Sequence, residues 1–338
     1  MRLARWTQAV GAMALAAVLS VPARSANPDS RSAMPGTLNY VEGQSSIGNQ
    51  TLDSKSVGSV ELQAGQTLET NQGKAEVLLT PGVYLRVGSN SSVQMVSPNL
   101  TRTEVALNSG EAMLEVDEIH TQNDIRIDQP GASTQVVKTG LYDFDAAGNQ
   151  VRVFDGKAVV RDGDQNVTVK GGHELALGGK AKAQGFDKKA VMASDDLYRW
   201  SSLRSDYLSE ANVESARVYF ADGWYGPGWI GAGWYWNPWF SSFTFLPGDG
   251  FLYSPFGWGF YSPLVVNRVP VVVGHVPHHF DGFRPAPTLG AGFRNHQVRS
   301  FAGTHGSGFR GEPTMHASNN FGGFHGASGF HGGGTVRR

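Results

Sequence analysis

The stretch Val77-Leu78-Leu79-Thr80-Pro81-Gly82-Val83-Tyr84-Leu85-Arg86-Val87 decides the fold. Two short apolar runs flank a Pro-Gly pair, and in the second run Val83, Leu85 and Val87 alternate with polar or aromatic neighbours. Successive strand side chains point to opposite faces, so these three share one face and Arg86 falls on the other. The same unit repeats outward as Val93-Met95, Val105-Leu107, Leu114-Val116, Ile125-Ile127, Tyr142-Phe144, Val151-Val153, Val167-Val169 and Leu175-Leu177. In each, the apolar pair shares a face, and Arg86, Asp143, Arg152 and Thr168 are assigned to the solvated side. Glycines at 58, 65, 73, 82, 88, 110, 131, 140, 148, 156, 163 and 171 fall between the runs, where tight reversals need positive φ. Short strands with turn signals about every 8 to 12 residues predict an all-β sandwich, roll or short solenoid over residues 36–179.

The amino terminus reads as a signal peptide over residues 1–25, followed by a polar linker over 26–35. Arg2 and Arg5 precede an apolar stretch from Ala9 to Val21, which is short for a bilayer span and of the right size for a secretory core. Val21-Pro22-Ala23 or Ala23-Arg24-Ser25 supplies the small residues of a cleavage site. Export to the periplasm or cell surface is expected, with no integral membrane span after signal removal. The chain has 338 residues, 44 glycines, no cysteine and a formal net charge of −1. It therefore has no disulfide framework, thiolate metal site or cysteine nucleophile, and its charge balance gives no reason to expect nucleic acid as a partner.

Beyond the β block, Leu197, Trp200, Leu203, Tyr207 and Ala211 recur at spacings of three and four and predict one amphipathic helix over 187–218. Ser194 is its candidate N-cap, and Asp195 and Asp196 suit the positive end of the helix dipole. An aromatic stripe at this spacing is read as packing surface rather than as a cofactor site. Residues 219–273 form a Trp/Tyr/Phe/Gly/Pro-rich segment, in which 18 of the 43 residues from Tyr219 to Tyr261 are aromatic. Trp224, Trp229, Trp234 and Trp239 are spaced by five, which fits turns and short hairpins better than a long element. Residues 274–338 are expected to be a disordered tail, with 15 glycines, eight histidines and few aliphatic residues.

Five phrases in order give the β block a resemblance to a known family. They are Gly65-Gln66-Thr67-Leu68-Glu69-Thr70, the hairpin from Ala75 to Val87, Val105 to Ala112 with its Asn108-Ser109-Gly110-Glu111 turn, Ile125 to Gly140, and Val151 to Gly172. Together they resemble the FecR-like domain, the extracytoplasmic sensing module named for the ferric-citrate regulator of bacterial envelopes. The resemblance implies a β fold and recognition of a protein partner, and it supplies no catalytic residues. Regulators of this family place an anti-sigma segment and a membrane helix ahead of the sensing domain, where this sequence has the predicted signal peptide. Lys138-Thr139-Gly140 also stands where the family tends to have Val-x-Gly-Thr.

Candidate sites are few. Trp224, Trp229, Trp234, Trp236, Trp239 and Trp258 are the candidate contact residues, for a protein partner or for sugar rings of peptidoglycan or exported polysaccharide stacked on indole faces. His275, His278 and His279 have ligand-like spacing, but a Gly/Pro-rich segment does not preorganise them, so no metal site is assigned. Asp143 and Asp145 flank Phe144 and are read as solvated. Asn90, Asn99 and Asn166 head Asn-x-Ser/Thr triplets, read as chance in polar turns. No catalytic residue or cofactor is assigned: no G-x-S-x-G, H-E-x-x-H or G-x-x-x-x-G-K-[ST] motif occurs. The reading is a non-enzymatic binding or scaffold protein of the bacterial envelope, with a carbohydrate-binding protein and a FecR-type signalling regulator as alternatives.

Overall fold

The computed structural model describes residues 33–179, 182–221, 231–269 and 271. The predicted signal peptide, most of the linker, Trp224, Trp229 and the tail with His275, His278 and His279 lie outside the described residues.

Strands come first: β1 (Leu38–Glu42), β2 (Ser45–Ile47), β3 (Gln50–Thr51), β4 (Thr67–Thr70), β5 (Lys74–Leu78), β6 (Val83–Val87), β7 (Ser91–Pro98), β8 (Arg102–Ser109) and β9 (Glu111–Val116). They continue as β10 (Asp124–Gln129), β11 (Ala132–Val136), β12 (Gly140–Asp145), β13 (Gln150–Asp155), β14 (Lys157–Asp162), β15 (Gln165–Lys170), β16 (His173–Ala176) and β17 (Gln184–Gly185). Helices α1 (Lys188–Ser194) and α2 (Asp196–Ala221) follow, then the strand pairs β18 (Gly233–Asn237) with β19 (Ser242–Leu246) and β20 (Phe251–Tyr253) with β21 (Gly259–Tyr261).

The first seventeen strands make two sheets. One has the order β1-β5-β6-β9-β12-β13-β16-β17 and the other β15-β14-β11-β10-β8-β7-β4-β2-β3. Their pairings are antiparallel except β8 with β10. This is a two-sheet sandwich, not a solenoid of parallel coils. The predicted alternation fills its interior: Leu85, Val87, Leu114, Tyr142, Phe144 and Val153 from the first sheet share one core with Val93, Met95, Val105, Leu107, Ile125, Ile127 and Val160 from the second.

Some glycines mark corners rather than reversals. The chain leaves the second sheet at Ser109 and enters the first at Glu111, so Gly110 alone turns the strand from one sheet into the other. It does so at φ +78°, and a Cβ there would lie 2.6 Å from the Ser91 Cα, so no other residue fits without displacing backbone.

The eight-stranded sheet is buried on both faces. Leu78, Tyr84, Met113, Leu141 and Phe154 point away from the sandwich core yet are no more than 2 % exposed. Phe243, Phe245 and Phe260 of the hairpins, with Leu208 of α2, cover Leu78 and Tyr84. Leu197 and Phe256 cover Met113, Leu141 and Phe154. Each such side chain contributes roughly 1.5–3 kcal/mol of burial, so the carboxyl-terminal elements are bound to the sandwich by a substantial second core.

Two expectations are corrected here. The predicted single helix is broken at Asp195, whose backbone is extended. The Asp195 Oδ1 accepts the Tyr198 N–H at 2.9 Å and caps α2, while Ser194, the expected cap, donates its hydroxyl to the Ala190 carbonyl. The buried face of α2 is also displaced from the predicted stripe: Leu203 and Tyr207 are 66 % and 43 % exposed, whereas Ser201, Arg204, Ser205, Leu208, Ser209 and Asn212 are buried. Small and polar residues face the sheet because the sheet presents charge there.

Candidate recognition site

That charge begins with Arg86, the penultimate residue of β6 and 0 % exposed. Its Nε donates to Glu76 Oε2 at 2.9 Å, and its Nη1 donates to Glu115 Oε2. Helix α2 completes the group: Arg204 Nη2 donates to Glu76 Oε1 at 3.0 Å and the Ser205 hydroxyl to Glu115 Oε1 at 2.6 Å. Burial alone would raise the Glu76 carboxyl, but the guanidiniums of Arg204 and Arg86 outweigh it and hold Glu76 below the usual carboxylate range. Arg86 was expected on a solvated face; it is buried because α2 and the hairpins cover that face.

Two asparagines sew the hairpins to this seam. Asn39 of β1 donates to the Phe243 carbonyl at 3.0 Å and accepts the Phe243 N–H at 2.7 Å. Asn212 of α2 donates to the Phe245 and Tyr261 carbonyls and accepts the Tyr261 N–H at 2.8 Å. Each amide satisfies backbone groups that short hairpin strands would otherwise bury unpaired.

Asp117, one residue past the end of the strand that carries Glu115, has no such support. It is 7 % exposed, and neither carboxylate oxygen has a hydrogen-bond partner among the described residues. Burial, and then the charge of Glu115, push its pKa well above the usual aspartate range; Glu118 adds to the rise and Arg86 opposes it. A raised acid favours folding below its unfolded pKa of about 3.9 and loses that contribution as pH rises through the folded value. Asp117→Asn is therefore expected to flatten the decline in stability toward alkaline pH and to stabilise the protein at pH 8 by about 1–2 kcal/mol, read from urea unfolding at several pH values.

The structure uses most of the described candidate tryptophans internally. Trp234 packs edge-on against Tyr84 at 4.9 Å, Trp236 packs edge-on against Phe243 at 5.1 Å, and the Trp258 Nε1 donates to the Ser202 carbonyl at 3.1 Å. Trp239 differs, at 87 % exposed. Asp143 is a further correction: it was expected to be solvated but is 0 % exposed. Its Oδ2 accepts from Arg152 Nη1 at 2.7 Å, and Glu111 and Asp195 lie beside it. Desolvation and the neighbouring carboxylates raise Glu111 to about 8 and Asp143 to about 7.

The nine-stranded sheet is the open one. Its inward residues Thr103, Val105, Ile125, Ile127, Thr134 and Val160 are buried, and Arg102, Glu104, Asp124, Arg126, Asp128, Ser133 and Arg161 alternate with such residues on the outer face. There they surround a cleft of about 660 Å³ lined by Arg102, Glu104, Arg126, Asp128, Ser133, Arg161 and Asp164. Arg102 pairs with Glu104 and Arg126 with Asp124, each at 3.0 Å. Arg161 makes no ion pair among the described residues. A row of fixed cations and anions on a twisted sheet, with one guanidinium left over, suits recognition of a polar surface of mixed charge. Spacing alone could not identify this face, because it lacks the tryptophans that drew attention elsewhere.

Comparison with known proteins gives a family match over part of the chain. Residues 40–159 match the family model described as FecR protein. No curated protein matches the chain. Among solved structures, two crystal structures of a provisionally assigned anti-sigma factor from Parabacteroides distasonis are similar at 16 % identity and a TM-score of 0.33. The similarity covers 38 % of this chain and 62 % and 63 % of theirs, so this chain spans less than two thirds of their length. The family match runs from β1 into β14, so it is this part of the two-sheet sandwich that is similar to the FecR family.

Proposed function

We propose that this is an extracytoplasmic FecR-type sensing protein that recognises a protein partner through the outer face of its nine-stranded sheet and relays that contact as a regulator. The observation that carries the reading is the asymmetry of the sandwich. One sheet is closed on its far side by α2 and the hairpins, and the other keeps a charged, cleft-bearing face. The FecR match favours a regulatory role over that of an inert envelope scaffold. The export expected from the leader supports an extracytoplasmic position, and the role needs no catalytic group.

A photo-crosslinking residue placed at Arg161 in the full chain tests the surface. A discrete crosslinked protein is expected, absent when the probe replaces Leu203 on the exposed side of α2 and depleted at least tenfold by Arg126→Glu in the same chain. Equal crosslinking from both positions would remove this face from the proposal. Regulation is tested separately: deletion of the gene is expected to change transcription of a defined set of genes. An unchanged transcript profile would leave a scaffold.

A further inference from the structure

Glu111, Asp143 and Asp195 come from three separate elements. Glu111 opens β9, Asp143 is central in β12, and Asp195 forms the corner between α1 and α2. In the β9–β12 register Glu111 lies opposite Asp145, so Glu111, Asp143 and Asp145 share one face of the sheet. The helix corner lays a further carboxylate over that face, and one oxygen from each of Glu111, Asp143 and Asp195 falls within 4.8 Å of the others. Like charges on directly opposed strand positions are unfavourable, and here a third is added by a different element.

The partners of the three are unequal. Arg152 is the neighbouring cation, and it is shared with Glu174 and Gln150. It engages only the Asp143 Oδ2. The Asp143 Oδ1 is fully buried with no hydrogen-bond partner among the described residues. A buried carboxylate oxygen without a donor is costly and uncommon, which makes it the second, independent mark of a missing ligand. The Glu111 carboxylate makes no hydrogen bond or ion pair among the described residues, and Asp195 spends one oxygen on the Tyr198 N–H, leaving the other. Glu111 and Asp195 are only partly buried, so the group can be reached from solvent.

We propose that Glu111, Asp143 and Asp195 form a binding site for a hard divalent cation of the calcium class, which fastens the α1–α2 corner to the eight-stranded sheet. All the donors are carboxylate oxygens, with no imidazole or thiolate to favour zinc or copper. Calcium takes oxygens at 2.3–2.6 Å, so about 5 Å between donors on opposite sides of the ion is within its reach, whereas magnesium needs a tighter set. Water completes the coordination from the partly exposed side. Because the ligands span the sandwich and the helices, cation binding and helix docking are one equilibrium, and the cation stabilises only the docked form.

Calorimetric titration of CaCl2 into the EDTA-treated full chain, with melting followed in parallel, tests this. One equivalent is expected to bind with a dissociation constant on the order of 0.1–1 mM, and the melting temperature is expected to rise by several degrees. Asp195→Asn keeps the α2 cap, since asparagine also accepts at an N-cap, and is expected to weaken calcium at least tenfold while remaining folded. Glu111→Gln is expected to do the same. Absence of binding heat and of a melting shift at 10 mM CaCl2, on the order of ten times the weakest expected constant, would overturn the site. Calcium binding unchanged by both substitutions would overturn its location. If both substitutions instead stabilise the protein without calcium and calcium has no effect, the carboxylates share a proton and the proposal fails.

Discussion

Arg86→Met is expected to destabilise the protein by about 3–5 kcal/mol in urea unfolding followed by tryptophan fluorescence, the scale of a buried ion pair broken on one side. Methionine fills most of the volume, so the loss is electrostatic rather than a cavity. Its distribution is specific. Glu76 keeps Arg204 and Asn39, but Glu115 keeps only the Ser205 hydroxyl. The orphaned charge is therefore Glu115, and Arg86→Met/Glu115→Gln is expected to recover at least about 1 kcal/mol relative to the single variant, a coupling between contacting residues that independent sites would not show. Acidification adds a check with a definite sign. Glu76 is held below its ordinary value, so its contribution is present above the unfolded pKa of about 4.3 and is lost as pH falls through the folded value. A cost below about 1 kcal/mol for Arg86→Met would mean that the seam is screened by water and that α2 is held by its apolar contacts alone.

The sandwich core was legible because burial and alternation coincide there. Val83, Leu85 and Val87, or Ile125 and Ile127, alternate in the sequence and point into one core in the fold. Strands β2, β4 and β11 carry too few apolar residues to register: β11 is Ala-Ser-Thr-Gln-Val, and its place is set by pairing with β10 and β14. The second face of the eight-stranded sheet was illegible for a different reason. Period-two alternation is read as one wet and one dry face, whereas here both faces are dry and the far one holds Arg86, Glu115 and Asp143. A charged residue looks solvent-bound in sequence whether water or a partner such as Arg204 satisfies it. The same ambiguity moved the buried stripe of α2, since Ser201, Ser205, Ser209 and Asn212 have no hydrophobic signature. The acidic trio joins residues up to 84 positions apart across three elements, a separation set by Glu111 and Asp195, and only the β9–β12 register and the bend at Asp195 bring them together.

The family match ends inside β14, so the recognisable module and the folding unit are not the same length. The fragment 33–186, which holds every strand of the sandwich but lacks α1, α2 and the hairpins, is expected to lose cooperative unfolding, bind a hydrophobic dye such as ANS, and aggregate at concentrations where 33–271 stays monomeric. Removing the cover uncovers two apolar clusters, Leu78 with Tyr84 and Met113 with Leu141 and Phe154, on either side of the buried charged seam. It also strips Arg204 and Ser205 from Glu76 and Glu115 and leaves Asn39 without its hairpin. Apolar and ionic losses then act on the same face, and at about 1.5–3 kcal/mol for each uncovered side chain they are comparable with the 5–15 kcal/mol by which a typical domain is stable. The experiment separates two pictures. If 33–186 unfolds in one sharp urea transition with the midpoint of 33–271, the sandwich is self-sufficient and α2 with its hairpins is an independent appendage. If the transition broadens or disappears, the carboxyl-terminal elements form one half of the domain, and the nine-stranded sheet is the one whose outer face this closure leaves uncovered.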